Sequence, residues 1–456
     1  MSKITSTNPK NGNKINDYDL LTIDQLDAKI EQTYNAQRLW KKTSFAERSK
    51  LMHEAANLLR ENKTDYAKHI TDEMGKLYTS AQDEIEKCAW VCDHYADHAE
   101  QYLSDEILES DASKSMISYA PLGVVLAVMP WNYPFWQVLR FAAPALMAGN
   151  AGMLKHASNV PQCALDIEEV FTQAGFPKGL FTTLLIDTDE VEGIIQDSRI
   201  VACTLTGSEG AGRAVAETAG SELKKCVLEL GGSDPYIILE DADIDHAVEQ
   251  CVSSRLLNSG QSCIGAKRFI VMEEVYDEFL TKFTDAMSDK TIGDPYEEDT
   301  DLSPMAREDL RDELHQQVQD TVDAGATLQL GGFIPDRVGS YYPPTILTDI
   351  PEGTPGYEEE LFGPVASVFK VSSEKEAIDL ANDSDFGLGG AVFTRDVDRG
   401  ERIAKEELEA GCCFVNHFVK SDPRLPFGGI KNSGYGRELS HLGIQEFCNI
   451  KTVYIK

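Results

Sequence analysis

The stretch "GVVLAVMPWNYPFWQVLRFAAPALMAGN", residues 123–150, decides the fold. A β-branched run, "GVVLAVMP", is followed by the helical pattern "FWQVLRFAAPALMAGN", which Gly149 and Asn150 close. The style then repeats. "AGMLKHAS" precedes "PQCALDIEEVFTQAG", closed by Gly175; "FTTLL" follows; "IVACTLTGS" precedes "GAGRAVAETAG"; and "KCVLELGG" ends the set. Strand, helix, strand at this spacing predicts a parallel sheet covered on both faces. A second α/β set starts near Gly231, with "PYIILED", "DIDHAVEQCVSSRLL", "RFIVM", "VYDEFLTKFTDAM", "REDLRDELHQQVQDTVDAG", "VASVFKV", "KEAIDLAN", "GGAVFT" and "CCFVN". Ahead of both lies a helical segment from about Ile23 to Leu103. The closing "CNIKTVYIK" reads as a strand with no helix after it, and such a strand needs another sheet edge, in this chain or a partner subunit.

Composition bounds the function. The 456 residues carry 76 acidic against 42 basic side chains, a formal net charge of −34 at pH 7. Nucleic acid and anionic membranes demand basic patches, so neither is expected as a partner. An anionic substrate would need a local positive group against this global field. No apolar run approaches the roughly 18 to 20 residues that span a bilayer. The start, "MSKITSTNPKNGNK", has neither the apolar core of a secretory signal nor the arginines of a transit peptide, and a cytoplasmic location is expected. Ten cysteines without a CxxC pair match neither a disulfide framework nor a zinc site. His417 and His441 lack companions at ligand spacing, so no metal is expected. Cys412 and Cys413 alternate faces of a strand, and Cys88 and Cys92 lie one helical turn apart beside Trp90; both pairs read as packing.

Some residues point to chemistry. In "NSGQSCIGAKR", residues 258–268, Cys263 sits in a small-residue loop instead of an apolar run, where a thiol can stay accessible and backbone amides can face an oxyanion. Glu229, in "CVLELGGSDP", is a carboxylate on an apolar strand; desolvation would raise its pKa toward useful base strength. It also stands 22 residues beyond Gly207, the separation at which a dinucleotide-binding fold reads a ribose. Spacing alone leaves the two roles open. "TGSEGAGRA", residues 206–214, follows a strand and opens a helix, where amides bind phosphate. Asn132 lies at a strand end, where α/β ligands bind, or it caps the helix that follows. Arg140, inside an apolar helix, requires either an internal acid or an anionic ligand.

Taken in order, "PWNYP", "TGSEGAG", "LELGGSDP", "GQSCIGAKR", "EELFGPV" and "LPFGGIKNSGYGRE" resemble the aldehyde dehydrogenase superfamily over nearly the whole chain. The last segment is most similar to the short succinate-semialdehyde dehydrogenases. The resemblance implies an α/β fold of three parts. These are a Rossmann-type cofactor-binding domain (residues 1–106 and 122–230), an α/β catalytic domain (231–420) and a small β oligomerisation element (107–121 and 438–456). Residues 421–437 return near the active site. Homodimers or homotetramers are implied.

The resemblance also implies roles. Cys263 matches the nucleophile, Asn132 and the Cys263 amide the oxyanion hole, and Glu229 the general base that hydrolyses a thioester, which favours base over ribose reader. Trp131 and Lys155 match residues near the adenosine end, Gly207 and Ser208 the phosphate and nicotinamide region, and Glu360 with Phe362 the clamp on the nicotinamide ribose. Many NAD-preferring relatives read Lys-Pro-Ser-Glu at the adenine-ribose loop. This chain reads "KHAS" there, with Ser158 in place of the acid. A carboxylate would repel a 2′-phosphate, whereas Ser158 beside Lys155 accepts one, so NADP is the expected cofactor and NAD the weaker alternative. Arg140 matches a residue that holds the distal carboxylate of the aldehyde substrate, with Trp136 beside it and Ser421 as a second anchor. Glutarate semialdehyde obeys the same logic with one more methylene, a difference of about 1 to 3 kcal/mol. Acyl transfer to coenzyme A and a silent binding protein are the remaining readings; the presence of Glu229 opposes the first, and that of Cys263, Glu229 and Asn132 together the second.

Overall fold

The structure is a computed structural model and describes residues 3–456. Val124–Met129 lies between the parallel strands Ala151–His156 and Ile200–Thr206, with Phe181–Thr183 and Lys225–Glu229 outside them. Five strands are thus parallel, in the region where alternation predicted them. Val124–Met129 at their centre is a continuous apolar run because both faces are covered, and every residue of Ala151–His156 is buried. The helix Trp136–Met147 is buried on all sides, packed between this sheet and the 25-residue helix Tyr78–Tyr102. A helix covered all round carries no polar stripe, which is why its pattern is apolar throughout. Gly149 ends this segment at φ +96, a left-handed position that favours glycine.

The segment from Ile23 forms four helices: Ile23–Trp40, Phe45–Glu61, Lys63–Met74 and Tyr78–Tyr102. The first two open with capping boxes, Thr22 with Gln25 and Ser44 with Glu47. Before them an antiparallel hairpin, Lys3–Thr7 with Lys14–Asp19, was not anticipated. Its strands are polar: Ile4 and Ser6 of the first and Tyr18 of the second are the buried residues.

The second sheet has seven strands in the order Thr327–Leu330, Thr345–Thr348, Val365–Val371, Arg268–Met272, Pro235–Ile238, Gly389–Phe393 and Cys412–Val415. All neighbours are parallel except the first pair.

The terminal strand, Cys448–Ile455, finds its edge within the chain, pairing antiparallel with Lys114–Pro121, which in turn pairs with Glu106–Leu108. Residues 438–447 differ from expectation. They do not join this three-stranded sheet: Glu438 points to the site, and the helix Ser440–Gln445 packs on Tyr78–Tyr102, where the Tyr95 hydroxyl donates to the Ser440 carbonyl at 3.0 Å. The returning segment also does more than pass by. Gly434–Tyr435 adds an antiparallel edge to the first sheet, with Gly434 opposite Glu229. Among the described residues no helix is long and apolar enough to cross a membrane.

Candidate active site

Three strands of the first sheet end at one place. Pro130, Trp131 and Asn132 follow Val124–Met129, Gly207 and Ser208 follow Ile200–Thr206, and Leu230 and Gly231 follow Lys225–Glu229. With Cys263, Glu360 and Phe362 they line a cavity of about 290 Å³. Carboxyl ends of parallel strands are where α/β sheets bind ligands. A second cavity, about 270 Å³, is lined on another side of Cys263 by Trp136, Arg140, Ser421, Phe427 and the lysines 76 and 87. Cys263 is therefore the wall that the two cavities share.

The loop that holds it is strained and pinned. Asn258, Ser259 and Gly260 all have positive φ, at 56°, 53° and 77°. A Cβ on Gly260 would stand 2.2 Å from the Gly363 carbonyl carbon and oxygen, so this backbone touches the "EELFGPV" segment directly. Four successive carbonyls accept side-chain donors. Arg255 donates to Gly260 O at 2.6 Å, Asn132 and Asn258 to Gln261 O at 3.2 and 3.1 Å, and the Lys267 ammonium to Ser262 O and Cys263 O at 2.9 and 2.8 Å. Ser259 donates to Ser303 O at 2.9 Å, and Gln261 Oε1 accepts from the Ala306 amide at 2.9 Å. Such a set over-determines the loop and holds its left-handed residues in place.

Asn132 is buried and spends one N–H on Gln261. A carboxamide has two, so one donor remains for a ligand. Ser208 caps the helix Glu209–Ser221, accepting from the Ala211 amide at 3.4 Å. Glu360 Oε1 accepts from the Gly232 amide at 3.1 Å and from Lys267 at 2.9 Å, and Trp131 meets Phe362 edge to face at 5.8 Å between centroids. Trp131 thus stands in the Cys263 cavity. Ser158 lines a separate groove with Asn159, Asp187, Arg307 and Arg337, and Lys155 is a buried residue on the strand leading to it. Both side-chain polar atoms of Asn159 are buried without a partner.

Glu229 does not line either cavity. Its carboxyl lies under Gly428, where an added Cβ would come within 2.6 Å of Oε1. It is 2 % exposed, and neither oxygen has a hydrogen-bond partner. Burial raises it well above the ordinary carboxylate range, and the Glu438 carboxylate adds to this, while Arg140 and Arg437 oppose it. Arg140 finds the internal acid that its helix demanded: its guanidinium is ion-paired with Glu438, and both are buried. A two-way backbone bridge between Phe427 and Glu438 builds this corner; the guanidinium stands 4.6 Å from the Phe427 ring centroid. Burial raises Glu438 as well, with Arg140 opposing. Of the two carboxyls, Glu438 has the guanidinium directly against it, while Glu229 has no hydrogen-bond partner among the described residues.

Burial also pushes the Cys263 thiol up to about 12, against the pull of Lys267 and Arg140. A thiolate there requires a base or a compensating charge. Beneath the helix that carries Arg140, Glu84 accepts from the Phe135 and Trp136 amides at 2.9 and 3.0 Å and is ion-paired with Lys76, itself 3.7 Å from the Tyr133 ring centroid.

Lys267, Lys87, Glu84 and Glu438 are the site groups that sequence reasoning did not single out. Two of them, Lys267 and Glu438, lie inside quoted motifs; a charge among small residues was the available signal. The cysteines 412 and 413 are free thiols. Among the described residues no group of three or more His, Cys, Asp and Glu side chains is gathered to hold a metal ion.

Known proteins share this architecture from end to end. The aldehyde dehydrogenase family model matches residues 1–453. The probable succinate-semialdehyde dehydrogenase (NADP(+)) of Synechocystis sp. is 50% identical over 452 residues, 99% of each chain. Succinate-semialdehyde dehydrogenase (NADP(+)) 1 of Mycobacterium tuberculosis is 49% identical over 455 residues, again 99% of each. The crystal structure of succinic semialdehyde dehydrogenase from Streptococcus pyogenes, in complex with NADP+ as the cofactor, superposes with a TM-score of 0.97 at 41% identity, covering 99% of both chains. With the family model spanning both sheets and the Cys263 loop between them, this chain belongs to the aldehyde dehydrogenase family.

Proposed function

We propose that the chain oxidises succinate semialdehyde to succinate with NADP as hydride acceptor. The observation that carries this is the position of Cys263 between two cavities, one framed by Gly207, Ser208, Glu360 and Phe362 and the other by Arg140, Trp136 and Ser421. The names of the relatives above support the same substrate and cofactor.

The residues present fit a phosphorylated dinucleotide. Ser158, the unpartnered Asn159 and the cations Arg307 and Arg337 share one groove, whose acids Asp187, Glu308 and Asp309 stand elsewhere than at the Ser158 position, Asp309 paired with Arg307, and Lys155 lies on the adjoining strand. Ser208 and the helix it caps, with Glu360 and Phe362, would hold the nicotinamide half. When bound, the oxidised nicotinamide supplies the hydride acceptor.

The Cys263 thiol gives up its proton to water, and its sulfur adds to the aldehyde carbon to form a thiohemiacetal. Its oxyanion takes the free N–H of Asn132 and the Cys263 amide; one such donor contributes about 10² to 10³ in rate. Oxidation at that carbon leaves a thioester on Cys263. Glu229, once ionised, takes a proton from water as the water attacks the thioester, and succinate leaves with the thiol restored. Its desolvated position makes it a stronger base than an exposed carboxylate. Because Glu229 rests beneath Gly428, its carboxyl must turn toward the cavity to act. Glutarate semialdehyde remains the second reading, since the pocket cations accept either length.

The same reading divides the chain into a cofactor-binding part (1–106 and 122–230), a catalytic part (231–420) and an oligomerisation sheet. That sheet leaves Ile107, Leu108, Ile450, Tyr454 and Ile455 exposed, apolar area suited to a homodimer or homotetramer, which sedimentation would test.

The test of function is the initial rate of reduced-cofactor appearance with succinate semialdehyde, using NADP or NAD without coenzyme A, and butanal as the uncharged control. Fast turnover with NADP and little with butanal is expected. Equal or greater turnover of butanal would overturn the substrate.

A further inference from the structure

The second cavity contains more positive charge than Arg140 alone provides. Besides two exposed groups of opposite charge, Lys420 and Asp83, three cations line it: Lys76, Lys87 and Arg140. Two have an acid of their own, Lys76 with Glu84 and Arg140 with Glu438. Each pair sums to no formal charge. Among the described residues Lys87 forms no ion pair. Its ammonium donates to Ser421 Oγ at 2.7 Å and lies 4.2 Å from the centroid of the Trp136 ring. An ammonium carries three donors and a hydroxyl accepts one, so two are left.

Position and surroundings agree. Lys87 stands three residues after Glu84 on Tyr78–Tyr102, the spacing that puts both on one helix face, and that face meets Trp136–Met147. Trp136, Phe418, Val419, Phe427 and Ile264 supply the apolar remainder of the wall. Burial and the neighbouring Arg140 guanidinium lower Lys87 to about 8, with Glu84 and Asp422 opposing; an incoming carboxylate would relieve that cost.

We propose that the Lys87 ammonium, with Ser421 as its hydroxyl partner, binds the distal carboxylate of the substrate alongside Arg140 and sets the preference for carboxylated over uncharged aldehydes. This rests on the reading above that the substrate carries such a carboxylate. In a chain of net charge −34, the uncompensated cation is the group that makes the cavity attractive to an anion.

The experiment uses full-length Lys87→Met, Lys87→Gln and Lys87→Arg with NADP, succinate semialdehyde and butanal. Lys87→Gln can still donate to Ser421 without the charge, so it serves if Lys87→Met fails to fold. Loss of one charge-assisted contact predicts a Michaelis constant for succinate semialdehyde raised at least about tenfold in the Met and Gln variants. Under the same reading kcat/KM for butanal is unchanged and Lys87→Arg keeps most of the wild-type value. Succinate, as an inhibitor of butanal oxidation, weakens in parallel. Equal losses for both aldehydes, or no loss for either in variants that bind NADPH normally, would overturn the role of Lys87. A wild-type enzyme without preference for the carboxylated aldehyde would instead overturn the substrate reading, and this proposal with it, before any variant is compared.

Discussion

The Arg140 guanidinium is ion-paired with Glu438 and lies over the Phe427 ring, at the wall of the cavity that Cys263 enters. The arginine therefore serves two partners, an internal acid and the cavity. Removing one member of a buried pair leaves the other unpaired, at a cost of about 3 to 5 kcal/mol, whereas replacing both by apolar groups is far milder. Arg140→Ala alone should thus lower thermal stability and activity toward every aldehyde. The double variant Arg140→Met with Glu438→Leu should recover much of the stability and turn over butanal, while its kcat/KM for succinate semialdehyde stays at least about tenfold down, the loss of a charge-assisted contact. Full recovery toward both aldehydes would make Arg140 purely structural.

Burial without partners and the neighbouring Glu438 carboxylate hold Glu229 well above the ordinary carboxylate range. A general base works in its ionised form, so a raised pKa means that deacylation speeds up as pH rises through that value, above the ordinary carboxylate range. Glu438→Gln removes the neighbouring negative charge and should move this limb of the kcat profile to lower pH. Glu229→Gln should slow thioester hydrolysis more than acylation, visible as a larger burst of NADPH relative to the steady state. An unchanged burst would place Glu229 outside deacylation.

The Lys267 ammonium bonds the Cys263 carbonyl and pulls the thiol down against burial. Lys267→Met should raise the thiol further and slow its alkylation by iodoacetamide at a fixed pH, by on the order of tenfold for each unit of pKa. Mass spectrometry of Cys263 reads the rate directly, and faster alkylation would contradict the electrostatic assignment.

Gly260 combines φ +77 with a direct backbone contact to Gly363. The three atoms in the way, Gly363 C and O and Pro364 N, are all main chain, so none can rotate aside. Gly260→Ala should cost about 1 to 3 kcal/mol of strain and displace the Cys263 loop, seen as a lower Tm together with reduced kcat. Retention of both would mean that the loop has slack.

Ser158 shares its groove with Arg307 and Arg337. Ser158→Glu sets a carboxylate where a 2′-phosphate would lie, and should raise KM for NADP by on the order of tenfold or more while sparing NAD, as like charges predict. The ratio of kcat/KM for the two cofactors measures it.

Much of this protein followed from sequence alone. The parallel strands around Val124–Met129 were legible because short β-branched runs alternate with longer helical segments closed by glycine, a local property of length and composition. Cys263 and Asn132 were legible because their residue types break local patterns: a thiol among small residues, an amide at a strand end. Glu229 was legible for the same reason, as an acid on an apolar strand, but its position under Gly428 was not. The polar hairpin Lys3–Thr7 with Lys14–Asp19 went unseen because its two short strands bury only Ile4, Ser6 and Tyr18 and leave most of their residues to solvent.

What the tertiary structure alone decided is partnership. Local pattern required Arg140 to have an acid or an anion, and only folding brought Glu438, 298 positions later, against it through the bridge to Phe427. It likewise paired Lys76 with Glu84 and left Lys87 without an acid. Spacing along the chain carries no information about such encounters, because the energy of a charge depends on what lies within a few ångströms of it in space.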